Sequence, residues 1–291
     1  MTAYHHGSLA VQERLGVRQL AEHVGRSLLP TLRPVAAAFL QAQPLLVVGV
    51  SDDRGRVGAH LLTGEPGFVR ATGPRTVSVA AALPGGPLAD PAAGTPVGTL
   101  ALDPRTRRRM RLNGRARPTG RGFTIEAEEV FSNCPKYLQK RELYGSGPTG
   151  RPGPGAVRRG EALTPGQTRR IRAADTFFVA TSAPDGVDAS HRGGNPGFVR
   201  VDGPRDLSWR DYPGNAMFLT LGNLETDGRA GILFLDWETG TTLQLSGHAR
   251  TEYGQEERIV HFRIDGVVET PAASPLRWSA PEFSPANPTT P

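Results

Sequence analysis

Between positions 188 and 200 the chain reads Asp188-Ala189-Ser190-His191-Arg192-Gly193-Gly194-Asn195-Pro196-Gly197-Phe198-Val199-Arg200, a stretch with the groups needed to hold an anion. Glycines let backbone amides approach a charged oxygen, the guanidinium groups of Arg192 and Arg200 offer planar forks, and Ser190 and His191 add neutral donors. A phosphate-bearing small molecule is the ligand such a set would take. The same residues also read as a surface hairpin whose glycines serve only the turns, and the segment alone does not separate the two. His191 can donate to a phosphate or deliver a proton near neutral pH, which makes it the candidate catalytic residue.

A second group, Gly214-Asn215-Ala216-Met217-Phe218-Leu219-Thr220-Leu221-Gly222-Asn223-Leu224, reads as a strand over Ala216 to Leu221 between two Gly-Asn pairs. Its Asn side chains and free backbone groups can meet the polar edge of a planar heterocycle, although Gly-Asn pairs also serve as plain hairpin turns. The run Arg105-Thr106-Arg107-Arg108-Arg109-Met110-Arg111 is a candidate nucleic-acid stripe, but it lacks interleaved aromatics. Lys136 and Lys140 are the only lysines, which singles out Lys136, in Ser132-Asn133-Cys134-Pro135-Lys136-Tyr137, as an anion contact. Cys134 beside it reads as a buried structural thiol, with no resolving cysteine in the chain.

These residues need a scaffold, and the chain builds it twice. Gly64 to Ser78 and Gly194 to Ser208 share ten of fifteen residues at an offset of 130. Ser51, Gly55 and His60 match Ser182, Gly186 and His191 at an offset of 131, and Gly98, Leu100, Leu102, Asp103, Leu112 and Gly114 match Gly231, Leu233, Leu235, Asp236, Leu245 and Gly247 at 133. Collinear blocks this far apart indicate a duplicated domain of about 100 residues. The run Arg105 to Arg111 thereby aligns with Glu238 to Gln244.

Short apolar runs bounded by Asp, Gly and Pro turns predict six or seven antiparallel strands in each copy. The fold class is mainly β, two tandem split β-barrel domains with flanking short helices. Helical spacing from Leu9 to Gln41, broken at Pro30 and Pro34, predicts one or two helices ahead of the first barrel. The boundaries are an N-terminal helical segment over 1–43, a first barrel over 44–144, a Gly/Pro-rich linker over 145–163, a second, ligand-binding barrel over 164–270, and a Pro-rich tail over 271–291 that is a strap or a disordered end. Thr164-Pro165-Gly166-Gln167 carries an N-cap, a Pro at the first helical position and a capping-box Gln, which predicts a helix to about Ala174.

The charge of +6 over 291 residues rests almost wholly on arginine and says little about a polyanion partner. A single cysteine rules out an internal disulfide. No apolar run approaches the roughly 20 residues that cross a bilayer, and the N-terminus shows no secretory h-region, so the expectation is a cytoplasmic protein without a membrane partner.

Phe178 to Ser182, Ser190 to Val201, Gly214 to Leu224, Gly228 to Asp236 and Leu243 to Ala249 resemble the pyridoxamine 5′-phosphate oxidase-like proteins, within them a two-domain branch of predicted flavin-nucleotide-binding proteins. Val97 to Ala116 and Ser132 to Gln139 resemble that branch too, so the likeness covers most of the chain. The resemblance implies an FMN-binding split barrel with the flavin in a groove between two barrel units. Carried over by position, Ser190, Arg192, Gly193, Gly194 and Arg200, with Thr220, Leu221, Gly222 and Asn223, would contact ribityl and phosphate, while Gln244 on the strand Thr242 to Ser246 would lie near the ring. Arg109 and Arg111 match Thr242 and Gln244 in the first copy, and one of these faces lines the groove. Phe198 to Asp202 and Leu221 to Leu224 lack the lysine of the better-known oxidases, so Arg192, Arg200 and either Arg229 or the Arg107 to Arg111 run must replace its charge. Their C-terminal substrate motif is absent from Ser274 to Trp278, so oxidation of pyridoxamine phosphate itself is not expected.

The implied function is an FMN-dependent oxidoreductase acting on a small molecule, with NAD(P)H or a flavin reductase as electron source and a homodimer as the assembly. The alternatives are a non-catalytic flavin or haem carrier and an arginine-rich nucleic-acid-binding module.

Overall fold

The computed structural model describes residues 4–83, 94–146, 157–184, 186–255 and 257–289. Three helices come first, α1 (His6–Arg14), α2 (Arg18–Gly25) and α3 (Pro34–Ala42). A seven-stranded antiparallel sheet follows, made of β1 (Leu45–Ser51), β2 (Val57–Thr63), β3 (Val69–Ala71), β4 (Thr76–Val79), β5 (Thr95–Asp103), β6 (Arg108–Thr119) and β7 (Gly122–Ser132). After β8 (Leu143–Ser146), β9 (Arg158–Gly160) and α4 (Pro165–Ala173), a second sheet runs through β10 (Thr176–Ala183), β11 (Gly186–Gly193), β12 (Val199–Gly203) and β13 (Asp206–Arg210). Helix α5 (Leu219–Thr226) interrupts it before β14 (Arg229–Leu235), β15 (Thr242–Tyr253) and β16 (Arg258–Thr270), and β17 (Leu276–Trp278) closes the series.

The first sheet is ordered β2-β1-β5-β6-β7-β4-β3 and the second β11-β10-β14-β15-β16-β13-β12, the same order strand for strand. Each also bulges at the same place, between Asn113 and Gly114 and between Ser246 and Gly247. The architecture is thus mainly β and split-barrel-like.

Strand alternation explains how the two sheets meet. In β1, Leu46, Val48 and Val50 enter the core of the first sheet while Leu45 and Val47 point the other way. In β10, Phe177 and Val179 enter the second core while Phe178 and Ala180 join Leu45 and Val47 between the sheets. Strands buried on both faces read as continuous apolar runs, as β1 and β10 do. The strands approach closely because Gly98 and Gly231 present no side chain: a Cβ on Gly98 would collide with the backbone of Val187 and Asp188, and one on Gly231 would lie 2.6 Å from the Val57 carbonyl.

Several expectations need correction. Three helices, where one or two were expected, precede the first barrel in the chain, and they do not all pack on it. Helix α1 lies on α5, with Gly7 against the Gly222 backbone, Val11 in the second core, and Gln12 Nε2 donating to the Met217 carbonyl at 2.9 Å. Only α3 sends a buried leucine, Leu40, into the first core. The strand expected over Ala216 to Leu221 is instead the approach to α5 and its first turn, because the contact with α1 favours a helix there over an isolated apolar strand. Strand β13 escaped the sequence reading, although Asp206-Leu207-Ser208-Trp209-Arg210 alternates polar and apolar residues and aligns with β4 at the offset of 130.

Within the expected linker, Arg158–Gly160 pairs with β16 and Leu163 is buried in the second core, while residues 147–156 lie outside the described residues. The tail is a strap over its described residues: β17 pairs with β8, Trp278 sits edge-on to Trp237 with ring centroids 5.7 Å apart, and Lys140 exchanges backbone bonds with Glu282. The capping box at Thr164 and Gln167 forms as its sequence predicts. No helix among the described residues is long and apolar enough to cross a membrane.

Candidate functional site

A cleft opens where the first sheet meets the second. Its walls come from β6 (Arg109, Arg111), the segment after β7 (Asn133 to Tyr137), the end of β11 (Ser190 to Gly193), and the stretch from Asp211 through the first turn of α5. The empty space is about 950 Å³ counting its open mouth.

Because side chains alternate, Arg109 and Arg111 leave β6 on one face and meet β11 of the opposite sheet. Arg109 Nη1 donates to His191 Nδ1 at 2.5 Å, and its Nη2 donates to the carbonyls of Cys134 at 2.7 Å and Lys136 at 3.2 Å. Arg111 is buried and pairs with Asp188, whose carboxylate also accepts from Asn113 at 2.6 Å and Asn223 at 3.0 Å. Arg192 Nη2 lies 3.6 Å from Asp211, and that carboxylate is shared with Arg258 at 3.2 Å.

Three guanidinium groups thus meet two carboxylates, one of them already shared with a fourth arginine, while a third carboxylate, Glu129, accepts from Asn113 at 2.9 Å behind Asp188. The charge imbalance shows in the titration of the groups. Burial, then the neighbouring Arg192 and Arg111, bring Arg109 down to about 10. Burial, then Arg109 and Arg192, push His191 well below its ordinary 6.5. Burial also lowers Arg192, with Asp211 opposing the shift. The Nε groups of Arg109, Arg111 and Arg192 and Nε2 of His191 are buried without a hydrogen-bond partner. Buried donors normally find acceptors, so a cationic cleft with four of them idle suits an oxyanion.

The backbone here is strained as well. Tyr137, Ala216 and Phe218 all line the cleft with φ of 66°, 60° and 54°. Left-handed non-glycine residues cost about 1–3 kcal/mol each and concentrate at functional sites. At the mouth, Tyr137 OH donates to the Pro213 carbonyl at 3.0 Å and its ring lies 5.1 Å from that of Tyr212, so the two walls touch. Behind this wall, Gln139 donates to the carbonyls of Tyr137 and Gly194 and accepts from Ser284 and Asn287 of the strap.

Of the residues singled out from the sequence, the cleft gathers Arg109, Arg111, Lys136, Ser190, His191, Arg192, Gly193, Thr220 and Leu221. Thr220 Oγ1 donates to Ser190 Oγ at 3.1 Å, so the two hydroxyls act as a pair. Lys136 stands exposed at the rim. Cys134, read as a buried structural thiol, lies half-buried in the cleft wall.

The other predicted residues lie elsewhere. Arg200 projects into solvent beside Asp202 on the outer face of β12, because the alternation that turns Val199 inward turns Arg200 outward. Gly194 is a turn residue whose carbonyl is taken by Gln139. Gly222 faces α1, and Asn223 sits behind the cleft, bonded to Thr181 and Asp188. Gln244 reaches Ala59 and His60 at a different contact between the sheets. Arg229 pairs with Asp227 and does not line the cleft. The sequence reading overlooked Asn133, Asp211 and Tyr212. The only signal for the last two is the turn-like Asp211-Tyr212-Pro213-Gly214-Asn215, which marks a break without naming a role.

No family model matches the chain, and no curated protein matches it. Solved structures similar to parts of it include a putative pyridoxamine 5′-phosphate oxidase from Lactobacillus delbrueckii, with 15% identity, 37% of this chain and 94% of that one covered, and a TM-score of 0.30. HupZ from Group A Streptococcus is 14% identical over 35% of this chain and 90% of its own, with a TM-score of 0.28. The FAD binding protein from Mycobacterium smegmatis is 13% identical over 39% and 97%, with a TM-score of 0.27.

Proposed function

We propose that the cleft binds a flavin nucleotide, FMN, and that the chain is a flavin-dependent oxidoreductase acting on a small molecule. The observation that carries this reading is the convergence of Arg109, Arg111 and Arg192 on one cleft with unpartnered Nε groups, beside Ser190 and Thr220. Of the flavin-like motifs noted in the sequence, Val97 to Ala116, Ser132 to Gln139, Ser190 to Val201 and Gly214 to Leu224 each contribute residues to these walls. In this reading Arg109 and Arg192, with the two hydroxyls, hold the phosphate. Arg111 is kept in place by Asp188, and Phe198, Met217 and Phe218 supply apolar surface. The isoalloxazine ring would supply hydride or electron transfer, while this chain binds it, orients it and keeps water away. The electron source in this reading is NAD(P)H or a flavin reductase, and the assembly is a homodimer.

The shared strand order and matching bulges support the view that one domain was duplicated, with barrels over 44–144 and 164–270. A nucleic-acid stripe finds less support. Arg107 is spent on the Leu138 carbonyl and Glu282, and Arg109 and Arg111 turn into the cleft, so Arg105 and Arg108 are the exposed arginines of that run.

The visible spectrum of the purified protein, before and after incubation with FMN, is the direct test. A flavin absorbance that survives gel filtration is expected, and a protein that holds no flavin after soaking removes the proposal. Reduction of the bound flavin by NADH or NADPH, followed by substrate-dependent reoxidation, separates an enzyme from a carrier.

A further inference from the structure

We propose that His191 serves the cleft as a fixed neutral hydrogen-bond donor through Nε2, with Arg109 as the positioning residue that sets its tautomer, and that it selects ligands bearing an oxyanion or carbonyl oxygen there. This rests on the reading of the cleft as an oxyanion site and departs from the expectation that His191 moves a proton.

The argument begins with the inventory of donors and acceptors. A guanidinium group has five N–H donors and no acceptor. Arg109 Nη1 lies 2.5 Å from His191 Nδ1, so Nδ1 must present its lone pair, and the neutral ring carries its hydrogen on Nε2. That Nε2 is buried and has no partner. The charged groups bearing on the ring are Arg109 from β6 and Arg192 from its own strand, while β10 contributes Phe178, edge-on at 6.0 Å between centroids. Both charges are positive, so a second proton on the ring is opposed from two sides. His191 lines the cleft between Ser190, whose hydroxyl accepts from Thr220, and the guanidinium group of Arg192.

The same device recurs away from the cleft. His60 Nδ1 lies 3.3 Å from Gln244 Nε2, also a donor-only group, and also contributed by the opposite sheet. The fold therefore sets the tautomer at both histidines. At His191 alone does the ring also border the arginine cluster.

Two-bond proton–nitrogen spectra of protein labelled with 15N at histidine test this directly. Between about pH 5 and pH 9, His191 should show a protonated Nε2 and a bare Nδ1 without titrating, unlike a free imidazole. In Arg109→Met the ring should titrate or populate both tautomers. Inorganic phosphate and FMN, added separately, should each shift Nε2. Replacement by Gln, which keeps a donor, should hold FMN affinity within about threefold, whereas replacement by Leu should lose roughly tenfold or more.

A hydrogen on Nδ1, an imidazolium in that range, or equal affinity of the Gln and Leu variants overturns the proposal. So does an Nε2 signal that neither ligand moves. If phosphate shifts Nε2 and FMN does not bind, the flavin reading falls and the donor stands. If FMN binds and leaves Nε2 unmoved, the flavin reading stands and the donor falls.

Discussion

The two sheets touch each other in two equivalent places, and only one of them has become a cationic cleft. At the first, β6 brings Arg109 and Arg111 against His191 and Asp188 of β11. At the second, β15 brings Thr242 and Gln244, the residues 133 positions further on, against β2, where Gln244 Nε2 donates to the Ala59 carbonyl at 2.8 Å and meets His60 at 3.3 Å. Burial alone brings His60 to about 4, whereas His191 is lowered by burial and by two neighbouring guanidinium groups. The frame is common to both contacts, a histidine receiving a hydrogen bond from across the boundary. What differs is charge.

The largest effect should come from emptying the charged contact. Replacing Arg109 and Arg192 together by Met should weaken FMN binding about 10²–10⁴-fold, since each charge-assisted hydrogen bond contributes about 1.5–3 kcal/mol. Fluorescence titration reads this, and a double variant that binds as tightly as the parent would falsify the cleft assignment.

The histidines come next. A group whose folded value lies below its unfolded 6.5 takes up its proton mainly on unfolding, so stability is lost as pH falls from about 6.5 toward 4 and is regained on the way up. For His60 the difference amounts to about 3 kcal/mol. Urea unfolding of His60→Gln and the parent at the two ends of that window should show a shallower pH dependence in the variant. Parallel curves would mean that His60 is not buried as a neutral ring.

A smaller and symmetric loss is expected from Gly98→Val and Gly231→Val, which force a side chain between the sheets at matching positions and should each cost about 1–3 kcal/mol. Thermal unfolding would reveal whether the two contacts share the mechanical load. A silent Gly231→Val beside a damaging Gly98→Val would break the equivalence.

The smallest effects belong to Arg200→Gln and Gln244→Ala. Arg200 is solvent-exposed, so its change should stay within about 0.5 kcal/mol of the parent. Neither change should alter FMN affinity beyond about twofold. A marked loss on changing Gln244 would move the ring to the other contact.

These outcomes also measure how far the residues speak for themselves. Alternation and turn chemistry marked most strands, and the repeat predicted two copies whose strand orders prove identical. The capping box at Thr164 was legible because it is local. Helix α5 was not, since its partner α1 lies some two hundred positions earlier, and no window of sequence contains both. The cationic cleft was legible at Ser190 to Gly193, where donors and glycines cluster. It was misjudged at Arg200 because one step along a strand reverses the direction of a side chain. Asp211 was invisible, because only folding brings its short segment to the cleft, and Asn133 was passed over inside a segment noted for Lys136.

The docking of α1 on α5 has a consequence for how the protein is made. The ribosome delivers His6–Arg14 well before its partner: the surface that receives it is synthesised roughly 200 residues later, which at about 5–20 residues per second is a wait of about 10–40 s. Through that interval the first sheet can assemble while the leading helix stays unseated, with Val11 still to be covered. Nascent chains stalled before residue 219 should therefore expose this segment to proteases, and completion of translation should hide it.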